Sequence, residues 1–592
     1  MAYIPGTAGS DFLVGTNQDD LINGFQSADF MAGGAGHDRY VVDNTGDVVS
    51  ENAGQGSDFV SASVSYTLGA NVESLRLLGT WAINGTGNAL SNYLEGNSAG
   101  NTLSGGGEND TLDGKGGADT LIGGTGGDVY YVDNAGDIVI EYANEGYDFV
   151  FAYNVSHALS ANVEELWLTG FGGIGTGNAL DNMIAGNGGE NELYGRGGSD
   201  TLIGYHATDV LDGGTGADTM EGGSGDDYFW VDNVGDVVIE NSNDGYDLVF
   251  SRVDYTLTAN VEDLVLEANA VTGIGNDLYN DIYGNSQNNV LEGRDGADVL
   301  SGDLGADTMI GGTSSDTYYV DNAGDVVTEF ANEGLDYVRS TVNHTLAANV
   351  EGLILDNPAT SGTGNNLDND LWGNNADNVL TGGDGADHLH GEAGNDTLIG
   401  GTGDDVYWIT DAAADVTESG GQGVDTVYTV VSYVLTAGAD VETLAINYEG
   451  STGAIDLTGN GSGNVVRGNN GANVINGGDG NDELIGLGGQ DQYLFNTPLN
   501  GTTNVDTLSD FNVADDTIRL EDTIFAAFAN GPLADDRFVV GTAALDANDN
   551  ILYDSATGAV RYDSDGNGAA AAVQFATVTP GLPLTHLDFL IV

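Results

Sequence analysis

A nine-residue period built on glycine turns constrains this chain more than any other feature. Residues 6–41 divide into four units: GTAGSDFLV, GTNQDDLIN, GFQSADFMA and GGAGHDRYV. An aspartate holds the sixth position of each, and an apolar residue follows two places on: Asp11 with Leu13, Asp20 with Ile22, Asp29 with Met31, Asp38 with Tyr40. The frame returns in five later blocks: Asp110, Asp119 and Asp128; Asp200, Asp209, Asp218 and Asp227; Asp298, Asp307 and Asp316; Asp387, Asp396 and Asp405; Asp482 and Asp491. Self-similarity at so short a period predicts stacked units that each contact their neighbours, rather than one globular core.

Each part of the unit has a physical task. Glycines among the first four places let the chain turn tightly with φ > 0 and aim carbonyl oxygens inward. The aspartate adds a carboxylate at the end of the turn. The closing triplet, such as TLI or TMI, favours a strand whose middle residue points into a core. Two units make one coil of two short parallel strands, so turns two units apart stack about 4.8 Å from each other. That register pairs Asp11 with Asp29, Asp20 with Asp38, Asp110 with Asp128, Asp200 with Asp218, Asp209 with Asp227, Asp298 with Asp316, and Asp387 with Asp405. Carboxylates and carbonyls converging there form an all-oxygen cage of hard ligands, suited to Ca²⁺ rather than Zn²⁺ or Cu²⁺. The plainer alternative is that the aspartates cap their turns and face water. Gln18, and the run Tyr205-His206-Ala207 ahead of Asp209, replace turn glycines and argue against a site in those two units.

Each later block opens with two units that carry asparagine in the aspartate position: Asn92 and Asn101, Asn182 and Asn191, Asn280 and Asn289, Asn369 and Asn378, Asn464 and Asn473. Neutral amides suit hydrogen-bonded ladders better than a divalent cation. A longer period overlies the short one. The segment VDNxGDVV places an aspartate at 43, 133, 232 and 321, with a degenerate copy at Asp411, so the intervals are 90, 99, 89 and 90 residues. The longest interval holds one extra nonapeptide, an insertion that a stacked solenoid tolerates. The spacers between blocks read as strands separated by Gly, Asn and Asp turns. They are expected to be wider coils of the same solenoid, with small β-sandwiches as the alternative.

Charge narrows the partners. Asp and Glu number 92 against 11 Lys and Arg, a formal net charge of −81. That sign argues against nucleic acid and against an anionic membrane surface, and for multivalent cations. Apolar residues still make up 40% and recur regularly, so a core can form once the charge is neutralised. There is no Cys, hence neither disulfides nor thiolate metal sites, and no apolar run long enough for a transmembrane helix. The opening MAYIPGTAGS lacks the basic and apolar regions of an N-terminal signal peptide.

The units GGAGHDRYV (33–41), GGTGADTME (213–221), GGSGDDYFW (222–230) and GGDGADHLH (382–390) match the pattern GGxGxDxUx throughout. In this the chain resembles the RTX family, the haemolysin-type calcium-binding repeat proteins. The resemblance implies a right-handed parallel β-roll with Ca²⁺ between turns. From Phe495 the nine-residue frame stops, and FNTPLNGTTNVDTLSDF resembles the C-terminal region of RTX proteins exported by type I secretion. The final LDFLIV looks like the uncleaved signal of that machinery, which would account for the missing N-terminal one. A cap over the end of the solenoid is compatible with the same residues. YDSDGNG sets Asp563, Asp565 and Asn567 in the order of an EF-hand loop, but Gln574 stands where a bidentate Glu belongs, so a hairpin turn is expected.

No catalytic constellation emerges. HExxH and GxSxG are missing, and His388 and His390 lie in a strand triplet, where a structural role is expected. The expected fold is therefore all-β: an elongated right-handed parallel β-solenoid of stacked nonapeptide Ca²⁺ loops with a small C-terminal β-rich cap. Its expected segments are an N-terminal block, 1–41; spacer-plus-block segments 42–131, 132–230, 231–319, 320–408 and 409–495; and a cap with the export signal, 496–592. The expected function is that of a secreted, non-enzymatic calcium-binding structural protein of the cell surface or extracellular matrix. It would self-associate, with a surface polysaccharide as a further partner. A calcium-stiffened adhesin or ligand-binding stalk is the alternative, and a polysaccharide-modifying β-helix enzyme a distant third.

Overall fold

The computed structural model describes residues 1–592. Its elements are short β-strands, with single 3₁₀ turns at Asp535–Arg537 and His586–Asp588 and no α-helix. The chain comprises two units, Met1–Gly296 and Ala297–Val592.

In the first unit the nonapeptide register is the strand register. Ala2–Pro5 pairs in parallel with Asp20–Asn23, and that strand with Arg39–Val42, each step spanning eighteen residues. The intervening units supply a second sheet, in which Phe12–Val14 pairs with Phe30–Ala32. Alternate nonapeptides thus build opposite walls of one coil. The middle residue of each triplet fills the space between them: Ile22, Met31, Tyr40, Leu112 and Leu121 are fully buried. β-Branched and leucine side chains at every second position suit a wall with one dry face.

The spacers continue the solenoid and do not form sandwiches. Arg39 aligns with Phe59, Phe59 with Ser74, and Ser74 with Tyr93, steps of twenty, fifteen and nineteen residues. Two steps of eighteen, to Thr111 and Val129, then complete the 90-residue period. The coils expected to be wider in fact alternate: one widens and the next narrows. Only one wall runs unbroken through a spacer. The opposite wall stops at Val48–Val49, and a new sheet begins at Tyr66–Thr67.

The 99-residue interval has a geometric result. One nonapeptide is half a coil, so an odd insertion moves everything after it to the other wall. The continuous spacer strands Phe59–Ala62 and Phe149–Tyr153 belong to the sheet that contains Ala2–Pro5. In the third spacer the equivalent strand, Leu248–Ser251, pairs with Tyr228–Val231 in the opposite sheet.

The second unit repeats the plan. Thr317 aligns with Tyr337, Tyr337 with Gly352, Gly352 with Asp370, and Asp370 with His388, over a core that includes Tyr318, Leu389, Tyr407 and Leu484. Its last part leaves the parallel pattern. Ile551–Asp554, Ala559–Tyr562 and Val573–Val578 form an antiparallel set, joined in parallel to Asp506–Leu508. Phe495, Phe525, Tyr562 and Phe575 pack edge-on beneath it. The terminal strand Phe589–Ile591 pairs with Thr517–Leu520, and Phe589 and Ile591 are buried. The Asp563–Asn567 segment lies in the hairpin between two antiparallel strands, where Asp565 Oδ2 accepts the N–H groups of Ala569 and Ala570.

Candidate metal centres

The turn aspartates form hydrogen-bonded ladders along the stacked coils. Each N–H donates to Oδ1 of the aspartate one coil later: Asp11 to Asp29, Asp20 to Asp38, Asp110 to Asp128, Asp200 to Asp218, Asp209 to Asp227, Asp298 to Asp316 and Asp387 to Asp405, at 2.6–2.8 Å. All seven pairs expected from the spacing therefore lie side by side. Asn101 and Asn378 donate in the same way to Asp119 and Asp396, Asn464 to Asp482, and Asn473 to Asp491. Asp307 donates to Asp325, one rung past the repeat, as Asp29, Asp119 and Asp218 donate to Asp47, Asp137 and Asp236. In the degenerate copy Ala414 takes that place.

The second carboxylate oxygen separates the rungs into two kinds. Oδ2 of Asp29, Asp38, Asp110, Asp119, Asp128, Asp200, Asp209, Asp218, Asp227, Asp316, Asp387, Asp396, Asp405, Asp482 and Asp491 is buried and accepts no hydrogen bond. It points at the α-carbon of the first glycine of its own unit. A Cβ on Gly382 would collide with Asp387 Oδ2 and lie 2.6 Å from the carbonyl oxygen of Gly400, one coil on. Carboxylate and carbonyl oxygens thus converge on a space that only glycine leaves open, and an unpaired buried carboxylate oxygen there is costly without a cation. The residues fit Ca²⁺.

Asp11 and Asp20 differ. The backbone N–H and hydroxyl of Thr7 bond Asp11 Oδ2 at 2.5 and 3.0 Å, and Thr16 does the same to Asp20 at 2.6 and 2.9 Å. The asparagine units close likewise: the Asn at the second place of the unit donates its N–H to the position-six Oδ1, as in Asn88 to Asn92 and Asn365 to Asn369, both at 2.7 Å. The amide nitrogens bond backbone carbonyls, Asn92 to Val72 at 3.0 Å and Asn369 to Val350 at 3.1 Å.

The second residue of the unit decides between the two states. Where its φ is positive, its N–H turns away and the carboxylate stays open; Thr and Asn with negative φ close it. Tyr205 holds a φ of 82°, close to the 78° of Gly214 at the same place in the next unit, Ala207 also has a positive φ of 72°, and Asp209 Oδ2 remains open. The loss of the turn glycines, which argued against a site in this unit, leaves its carboxylate open all the same. In the Gln18 unit the carboxylate of Asp20, expected among the ligands, is closed by Thr16 and not by the residue at 18.

Burial first, then neighbouring carboxylates, push Asp110, Asp119, Asp200, Asp209 and Asp387 up to about 7 and Asp316 to about 8, against partial relief from the ladder N–H bonds. Burial acts on Asp20 too, yet the bonds from Thr16 outweigh it and its pKa falls below the usual carboxylate value.

Residues outside the nonapeptides join these aspartates. Asp38 meets Glu51 and Asp58; Asp128 meets Glu141 and Asp148; Asp227 meets Glu240 and Asp247; Asp316 meets Glu329 and Asp336; Asp405 meets Glu418 and Asp425. Sequence reasoning missed the spacer members. The available signal was Asp, Glu and Asp at constant intervals of thirteen and seven residues, five times over. His390, by contrast, lies between Trp372 and Trp408 at ring distances of 3.7 and 5.4 Å, and burial pushes its pKa down to about 4. It is a rung of an aromatic stack.

No curated protein matches the chain. The family model for the RTX calcium-binding nonapeptide repeat matches residues 5–40, 95–130, 176–205, 207–238, 283–318, 372–407 and 458–493. With those matches on the segments that carry the ladders, and with open oxygen cages in a parallel β-solenoid, the nonapeptide blocks of this chain are RTX calcium-binding repeats.

Proposed function

We propose that this is a secreted structural protein of the cell surface or extracellular matrix, a surface layer, sheath or filament, which folds and assembles on Ca²⁺. The nonapeptide aspartates with open Oδ2 atoms are its ion ligands, together with Asp298 and Asp307 at the same buried position. The observation that carries the reading is the row of unpaired, buried carboxylate oxygens facing glycine cradles in both units. Such rows repel one another until a divalent cation enters, so folding belongs where Ca²⁺ is plentiful. Type I export of an unfolded chain, with the terminal LDFLIV accessible until the cap forms, fits the same scheme.

Assembly is assigned to the N-terminal block. Ala2–Pro5 and Phe12–Val14 each have a strand neighbour on one side only, and Tyr3, Phe12 and Val14 are exposed there. Unpaired strand edges of this kind accept further strands. Electron microscopy of the full chain at millimolar Ca²⁺ is expected to show ordered arrays or fibres, lost on deletion of residues 1–41. Isolated particles at high protein concentration would count against assembly. A ligand-binding stalk is favoured by one feature: Tyr131 stacks on Phe151, with Trp167 tilted against it, along a wall beside a pocket of about 270 Å³ that includes Lys115. Retention on cell-surface polysaccharide that Phe151→Ala abolishes would support that reading.

A further inference from the structure

We propose that the carboxylate trios at the block-to-spacer junctions are a second class of Ca²⁺ site, chemically distinct from the turn ladder. The inference rests on the reading of the chain as a calcium-loaded solenoid. In the second trio, ligand oxygens of Asp128, Glu141 and Asp148 all lie within 4.8 Å of one another, and all three residues are buried. Three carboxylates this close carry more negative charge than their surroundings offset: none of the Lys or Arg ion pairs reaches a trio.

The glutamate carries the argument. Glu141 is only 6% exposed; its Oε1 is held by the hydroxyl of Tyr130, while its Oε2 has no partner. The same oxygen is unpaired in all four counterparts, Glu51, Glu240, Glu329 and Glu418. Oδ2 of Asp128 is also open. Gly123 completes the space, since a Cβ there would collide with Asp128 Oδ2, Tyr130 Oη and Glu141 Oε1. The tyrosine orients one oxygen and leaves the other for a ligand, as an outer partner does around a metal. A hard, oxygen-only set with three formal charges suits Ca²⁺.

The sixth block shows what the junction looks like without such a site. Its carboxylate Asp510 accepts Tyr493 Oη at 3.0 Å and the Gly486 N–H at 2.9 Å on one oxygen, and the Leu487 N–H at 2.7 Å on the other. The carboxylate that stands in for the glutamate there is closed by hydrogen bonds, although Asp491 Oδ2 stays open. The five trios keep an oxygen open at the same place, where the register step grows from eighteen to twenty residues, as from Asp128 to Asp148. An ion there ties the last nonapeptide to two points of the spacer, which a turn-to-turn ion cannot do.

The test is a long-wavelength anomalous difference map from crystals of the wild-type chain grown in Ca²⁺. A peak is expected in each of the five trios, bonded to the glutamate Oε2, and none at Asp510. Peaks along the ladder with water in the trios would overturn this inference and leave the calcium-loaded solenoid standing. Peaks in neither place would remove both. Glu141→Gln, which keeps the acceptor for Tyr130, is expected to lose the peak of its own trio and no other. Undiminished occupancy of that trio in the variant would refute the role given to the glutamate, and should the variant not fold, the wild-type map decides alone.

Discussion

At the scale of single residues, the second position of the nonapeptide matters more than the glycine count. Thr16 closes the Asp20 carboxylate with two hydrogen bonds. Thr16→Gly is therefore expected to add one bound Ca²⁺ per chain, measured by equilibrium dialysis with metal analysis; an unchanged stoichiometry would disprove the rule. Tyr205 holds a left-handed φ of 82° while standing 38% exposed. A non-glycine residue in that region costs about 1–2 kcal/mol, and glycine loses about 0.5–1 kcal/mol of backbone entropy on folding. Tyr205→Gly is thus expected to stabilise the Ca²⁺-loaded protein by roughly 0.5–1 kcal/mol, read as a raised denaturation midpoint. The aspartates were legible in the sequence because one residue type recurs at one interval. The state of each turn was not, because it depends on the sign of a backbone angle that tyrosine and alanine adopt here only under the restraint of the coils stacked above and below.

At the scale of elements, each coil is tied to its neighbours by register and by ladder bonds, so damage is local. Asp218 accepts from Asp200 and donates to Asp236. Asp218→Asn keeps both bonds but turns the open oxygen into an amide donor. Its expected effect is weaker Ca²⁺ binding confined to the third block, with the second unit unchanged in residue-resolved hydrogen exchange. Simultaneous loss of protection in both units would contradict this. Removing residues 213–221, one whole nonapeptide, is expected to leave a folded solenoid, because each unit can serve either wall. The strand Leu248–Ser251 would then join the wall of Phe149–Tyr153. The spacers were the least legible elements. Their strands announce themselves by alternation, but steps of twenty, fifteen and nineteen residues carry no fixed period from which to read the register. Glu51 and its counterparts went unseen for the same reason, since a contact between a spacer and a block follows only once that register is known.

For the whole molecule, Ca²⁺ and protons compete for the same oxygens. Without metal, burial raises Asp110, Asp200 and Asp387 to about 7 in the folded chain, against about 3.9 when unfolded. The folded state then binds more protons than the unfolded one. Its stability is full below about pH 4 and is lost as pH rises from there to about 7. In excess chelator, circular dichroism is expected to show a β-rich chain near pH 4.5 that unfolds by about pH 8. Adding roughly 10⁻⁴–10⁻³ M Ca²⁺ at that higher pH should restore the fold cooperatively, and apparent affinity should increase with pH through the same window as the ion displaces protons. A β-rich spectrum in mildly alkaline solution that chelator leaves unchanged would refute the coupling of fold to ion.

The half-coil size of the nonapeptide gives the number of repeats in a block a meaning beyond length. An even change leaves every later spacer facing as before; an odd change turns it to the opposite flank. In the first unit the third block carries one such odd unit, and its trio of Asp227, Glu240 and Asp247 accordingly opens on the flank opposite those of Asp38 and Asp128. Gain or loss of a single repeat by unequal recombination therefore acts as a two-position selector. It redirects which side of the protein displays its spacers without altering one residue within them.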